Sequence, residues 1–130
     1  MKSLSAKLLA TLIILFTTQG AWAMALGELS TQTRLGDRLQ AQIPIKLGGT
    51  EYGVDDLHAQ LMNSQEAAKY GVELLSSRYQ FQLSISEQDG QLVVNVKSRK
   101  PITEPFINLM LQLAWPGGSL AREYTVMLDY

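Results

Sequence analysis

The stretch "PITEPFINLMLQLAWPGG", Pro101 to Gly118, decides the fold. Between Pro105 and Pro116 it holds ten residues, eight of them apolar and none charged. Ile107, Leu109, Leu111, Leu113 and Trp115 form one side of an alternating pattern, and Phe106, Asn108, Met110, Gln112 and Ala114 form a mixed second side. A helix fails here, because Asn108 and Gln112 lie one turn apart while apolar groups cover every other direction. The run is also half of the about 20 residues that a membrane-spanning helix needs. Pro105 suits the first residue of a strand, and Trp115-Pro116-Gly117-Gly118 has proline and glycine where a type II turn takes them. The stretch therefore reads as a central strand, hairpinned to the segment that follows. Pairing Trp115 with Leu120 sets Leu111 opposite Tyr124, Leu109 opposite Val126 and Ile107 opposite Leu128. The same register puts Arg122 opposite Leu113 on the apolar face. A rim position would reconcile that, with the aliphatic stem over the core and the head in water; a bulge near Ser119 is the alternative.

Upstream, "RYQFQLSIS" (Arg78–Ser86) alternates Tyr79, Phe81, Leu83 and Ile85 with Gln80, Gln82, Ser84 and Ser86. Asp89-Gly90 follows as a preferred two-residue hairpin loop. Pairing Gln88 with Gln91 sets Ile85 opposite Val94 and Leu83 opposite Val96, so both apolar sets share a face. "LQAQIPIKL" (Leu39–Leu47) alternates in the same way, and Pro44 on its polar side marks it as an edge strand or a bulge. "LGELST" (Leu26–Thr31) and "DLHAQLM" (Asp56–Met62) add shorter strands. "SQEAAKYG" reads as a short helix with Ser64 as N-cap, Glu66 in the first turn and Gly71 as the stop. Gly48-Gly49 and the segment from Gly71 to Ser77 are loops. The fold class is all-β: an immunoglobulin-like β-sandwich of about seven strands with one short helix.

The chain begins like an exported protein. Lys2 and Lys7 precede the apolar run "LLATLIILF" (Leu8–Phe16), and Ala21-Trp22-Ala23 has the small-x-small form of a signal-peptidase site. Residues 1–23 read as a signal peptide cleaved after Ala23, with cleavage after Ala25 as the alternative. Inner-membrane anchoring by an uncleaved signal is the bland alternative. Removing residues 1–23 leaves nine basic against twelve acidic residues, a net charge of −3. Nothing basic is left to neutralise a phosphate backbone, so nucleic acid is not an expected partner. There is no cysteine, hence no disulfide and no lipoprotein-type anchor. The remaining domain, residues 24–130, must be stabilised by its core alone, which is feasible for about 100 residues.

The catalytic inventory is thin. His58 is the only histidine, it falls on the polar side of its strand, and it reads as a surface residue. Asp55-Asp56 with Glu51 lack the ligand spacing of an EF-hand and read as a solvated turn. Gly117-Gly118 precede a strand and are not followed by the residues of a phosphate-binding loop. No catalytic residue, metal site or cofactor is expected. Arg99, Lys100, Glu104, Arg122 and Glu123 gather around the last hairpin, as a charged contact surface or as solvated strand ends.

Both ends of the domain carry a resemblance. "ALGELSTQTRLGDRLQAQIPI" (Ala25–Ile45) opens it and "SRKPITEPFINLMLQLAWPGGSLAREYTVMLD" (Ser98–Asp129) closes it. Glu104-Pro105-Phe106, Trp115-Pro116, Gly118 and Arg122-Glu123-Tyr124-Thr125, at this spacing, resemble the N-terminal domain of the FimV family. Residues Gly48 to Ser77 match more loosely. The resemblance implies a periplasmic domain of large inner-membrane proteins that assist type IV pilus assembly, including the secretin, and organise the cell pole in twitching bacteria. In the family a LysM domain, a membrane span and a long acidic cytoplasmic region follow; none is seen before Tyr130, so LysM-type peptidoglycan binding is not expected. The implied function is a non-enzymatic interaction module with periplasmic or envelope partners, among them pilus secretin or assembly components. A small secreted carbohydrate-binding or hydrolase domain on the same fold is the alternative. The candidate partner surface is Phe106, Met110, Arg122 and Glu123, with the Leu39–Leu47 strand as a candidate open edge. The mixed face of Phe106, Met110 and Ala114 is open unless the Ser64–Tyr70 helix covers it, which is the favoured arrangement.

Overall fold

In the computed structural model, which describes residues 24–49, 51–71 and 79–130, eight strands pair into two antiparallel sheets facing one core. The strands are β1 (Ala25–Leu26), β2 (Ser30–Thr31), β3 (Arg38–Lys46), β4 (His58–Leu61), β5 (Phe81–Gln88), β6 (Gln91–Pro101), β7 (Phe106–Trp115) and β8 (Gly118–Met127). The first sheet runs β1-β3-β6-β5, with β2 also paired to β3; the second runs β4-β7-β8. A 3-10 turn (Val54–Asp56) precedes β4, and a five-residue helix, α1 (Ser64–Ala68), follows it. The expected signal peptide and the loop residues 72–77 lie outside the described residues. None of the described helices is long and apolar enough to cross a membrane.

Alternation places the core where the pattern requires it. Leu39, Ile43 and Ile45 of β3 and Val94 and Val96 of β6 meet Ile107, Leu109, Leu111 and Leu113 of β7 in one buried cluster. Burying each such aliphatic side chain contributes about 1.5–3 kcal/mol. The β5–β6 register is the expected one: Gln88 pairs with Gln91, Ile85 with Val94 and Leu83 with Val96. Asp89 and Gly90 both take positive φ (51° and 77°), as a mirror-image hairpin turn demands. One irregularity occurs between Arg38 and Gln40, where the β3–β6 register shifts. There the Leu39 N–H donates to the Ser98 hydroxyl at 2.7 Å, and that hydroxyl donates to the Lys100 carbonyl at 2.8 Å. The buried serine thus satisfies a donor that the bulge takes out of the ladder.

Four local expectations are corrected. The β7–β8 hairpin closes two residues earlier than read, with Trp115 opposite Gly118, Leu113 opposite Leu120, Leu111 opposite Arg122 and Leu109 opposite Tyr124. Pro116-Gly117 alone forms the loop, with Gly117 at φ 103°. Gly118 already belongs to the strand, and an added Cβ there would lie 2.9 Å from the Trp115 ring. Because the shift is even, the apolar faces are unchanged. Secondly, β3 is not an edge: β6 lies on one side and β1 and β2 on the other. The Pro44 carbonyl accepts from Gly27 N–H at 2.8 Å. Its missing N–H therefore falls on the same side, in the gap between the two short strands. Thirdly, that gap splits "LGELST" in two. Lastly, the cap of α1 is Asn63, whose side-chain oxygen accepts from Glu66 N–H at 2.8 Å. Gly71, at φ 76°, closes the turn after the helix.

Candidate interaction surface

The candidate residues divide according to strand alternation. Phe106 and Met127 are opposite each other on the outer face of the second sheet. They are 63% and 69% exposed, an uncovered apolar pair where β7 begins and β8 ends. Next to them, Thr125 Oγ1 donates to Asn108 Oδ1 at 2.9 Å. Further along the same face, Met110 is only 7% exposed and Met62 is buried too. The Met62 N–H donates to the Met110 carbonyl at 2.8 Å. Glu123, paired with Met110, is exposed. The outer face therefore presents Phe106, Met127 and Glu123 to solvent, whereas Met110 is covered.

Arg122 points the other way, onto the inner face. Its Nη1 donates to the carbonyls of Leu26 and Gly27 at 2.6 and 3.0 Å, and its Nη2 pairs with Glu28 at 2.8 Å. The guanidinium also lies 4.9 Å from the centroid of the Tyr124 ring. The Tyr124 hydroxyl donates to the Gly27 carbonyl at 2.8 Å. The expectation of a head left in water is corrected, because the guanidinium is fastened to the first strand segment, and the β7–β8 register runs on without a bulge at Ser119. Hydrogen bonding to Glu28 pushes the guanidinium further above its ordinary value. Burial pushes the Tyr124 phenol up, against the opposing pull of the Arg122 charge. Together Arg122 and Tyr124 tie β8, an outer strand of one sheet, to the segment beside β1, an outer strand of the other. This is structural work.

The remaining charged residues do not join them. Glu104 accepts from the Tyr79 hydroxyl at 2.7 Å, and Arg99 and Lys100 are exposed at the end of β6. His58 is exposed on β4. It lines an open groove of about 320 Å³ between β4 and β5 with Asp55, Leu57 and Ser84. Asp56 caps the 3-10 turn, accepting from Gly53 N–H at 2.8 Å. Among the described residues no group of three His, Asp or Glu side chains is placed to hold a metal ion. A broader polar concavity of about 760 Å³ lies over Gln40, Gln42, Asn95 and Lys97 on the first sheet. Sequence reading missed Met127 and Glu28. Met127 becomes visible once the hairpin register is fixed, because it then faces Phe106; no local signal links Glu28 to Arg122, 94 residues away.

Comparison with known proteins bears on the same residues. Residues 24–130 match the model of the FimV N-terminal domain, described as an Ig-like domain. Two relatives from two strains of Pseudomonas aeruginosa, each called motility hub protein FimV, are 33% identical over 114 residues. The aligned region covers 87% of this chain and 12% of each relative. The chain thus spans a small part of the length of these relatives.

Proposed function

The chain belongs to the FimV N-terminal domain family, and on that premise we propose that it is a non-enzymatic interaction module of the periplasm. Residues 1–23 serve as the export signal, cleaved after Ala23, and residues 24–130 form the working domain. The family match beginning at residue 24 supports that division. The name of the relatives supports a role in surface motility. By that likeness the partners are envelope proteins of type IV pilus assembly, such as the secretin or its assembly factors. The observation that carries the reading is the exposed Phe106–Met127 pair. Two large apolar side chains side by side on a sheet face lose solvent contact when a partner docks, and contact surfaces are built around such apolar and aromatic groups. Glu123, on the same face, adds a charge that selects the partner.

The test is genetic and biochemical. Deleting the gene in its native host impairs twitching or secretin assembly, and the purified protein co-purifies with an envelope component. Turnover of a glycan or cell-wall substrate that depends on His58 would overturn the reading.

A further inference from the structure

We propose that the outer edge of β8 is a strand-addition site. Its occupant is an extended segment of a partner protein that bears a basic residue and an apolar residue four positions apart. This rests on the interaction-module reading and specifies how the module holds its partner. Trp115 and Gly118 flank a two-residue loop, so they form a hydrogen-bonded pair and the pattern alternates from there. Gly118, Leu120, Arg122, Tyr124 and Val126 aim their backbone groups at β7. Ser119, Ala121, Glu123, Thr125 and Met127 aim theirs outward. The bond from Leu128 N–H to the Pro105 carbonyl, 2.9 Å, continues that alternation. Among the described residues, backbone cover on the outer edge begins at Asp129, whose carbonyl accepts from Leu35 N–H at 2.7 Å. Among the described residues no strand pairs with the edge before that point.

The other sheet edges are less receptive. β1 and β2 are two residues each, and β4 is four. β5 is longer, but its outer face is Gln82, Ser84, Ser86 and Gln88. β8 offers ten residues and ends beside exposed Phe106 and Met127. A long edge carrying apolar groups is a template that proteins otherwise blunt. Backbone pairing supplies affinity there, and alternate side chains supply selectivity. A strand added beside β8 would set one residue next to Glu123 and another, four positions away, next to Met127. A cation complements the first and an apolar group the second. The net charge of −3 over residues 24–130 draws the same partner.

A fluorescent ten-residue peptide with lysine and valine four positions apart, in a serine–threonine background, tests this by anisotropy against the purified protein. Saturable binding is expected, weakened about tenfold or more when the lysine becomes glutamate. Thr125→Pro, which removes an outward N–H, abolishes it. Glu87→Pro, at the outer edge of β5, leaves it unchanged. If Thr125→Pro does not melt cooperatively, Ala121→Pro replaces it. No saturable binding to the wild type, or equal binding to a folded proline variant of β8, overturns the proposal. So does sedimentation showing a dimer that the β8 proline dissolves, since the occupant would then be a second copy. Unimpaired motility after gene deletion defeats the module reading itself. Impaired motility after deletion, with normal motility in a Thr125→Pro strain, defeats only the strand-addition site.

Discussion

The Tyr124 hydroxyl donates to the Gly27 carbonyl at 2.8 Å, joining residues 97 positions apart and tying together the two sheets. Arg122 donates to the same carbonyl at 3.0 Å. Much of the Arg122-Glu123-Tyr124-Thr125 motif is thus explained by architecture, because a sandwich whose outermost strands drift apart would open its core to water. Tyr124→Phe keeps the ring and removes the donor. It should cost about 0.5–1.5 kcal/mol in chemical denaturation.

The same tyrosine sets a pH dependence. Burial raises its pKa above the ordinary 10.0, so above that value the unfolded chain loses the proton before the folded one does. The stability is complete below pH 10 and is lost as the pH rises through the folded-state value. Denaturation midpoints should fall more steeply above pH 10 in the wild type than in Tyr124→Phe. Parallel curves would remove Tyr124 from the explanation.

Within the Arg122 site, the carbonyl bonds should matter more than the ion pair. Glu28 is 89% exposed on its side chain, and exposed pairs add little. Glu28→Gln should barely move the thermal midpoint, whereas Arg122→Leu should lower it clearly, because the Leu26 and Gly27 carbonyls lose a shared donor. Equal shifts would show that the charge pair, not the carbonyl contacts, fixes the segment.

The two glycines of the β7–β8 turn differ in kind. Gly117→Ala puts a side chain at φ 103° with open space around it, a backbone cost of about 1–2 kcal/mol. Gly118→Ala meets the Trp115 ring instead. Trp22 and Trp115 are the two tryptophans of the chain, so after removal of residues 1–23 the emission reports Trp115 alone. Gly118→Ala should shift that emission and Gly117→Ala should not.

Core and surface should separate sharply. Leu111 is fully buried at the centre of β7, and Leu111→Ala should cost about 2–5 kcal/mol. Ala121→Ser, exposed on β8, should change stability by less than about 0.5 kcal/mol. Similar losses would mean that the faces of the hairpin are assigned wrongly.

The faces of the long strands were legible because alternation repeats over eight or more residues, and Asp89-Gly90 pinned one register outright. The other register was legible only modulo two. Pro116-Gly117-Gly118 offers two ways to close a loop, and the folded chain takes the shorter, with Trp115 opposite Gly118. Pro44 was misread for a related reason. A missing N–H shows that one side of a strand lacks a donor, but not that the whole side is empty; here two short strands flank the gap. The candidate surface was legible in Phe106. Met110 shares its face by alternation, and its burial agrees with the expectation that this face is covered, which alternation alone does not describe. Arg122 was visible as an anomaly on the apolar face, while its partners at Leu26, Gly27 and Glu28 are fixed only by the folded chain.

A partner docked on the outward Phe106–Met127 pair, as we propose, depends on both side chains. The most direct test is surface motility of the native host carrying Phe106→Asp together with Met127→Asp, at matched protein levels. Both side chains are exposed, so the purified variant should melt within about 4 °C of the wild type. Motility is expected to fall to that of the gene deletion, with the folded variant still exported. Full motility in the folded double variant would contradict docking at this pair.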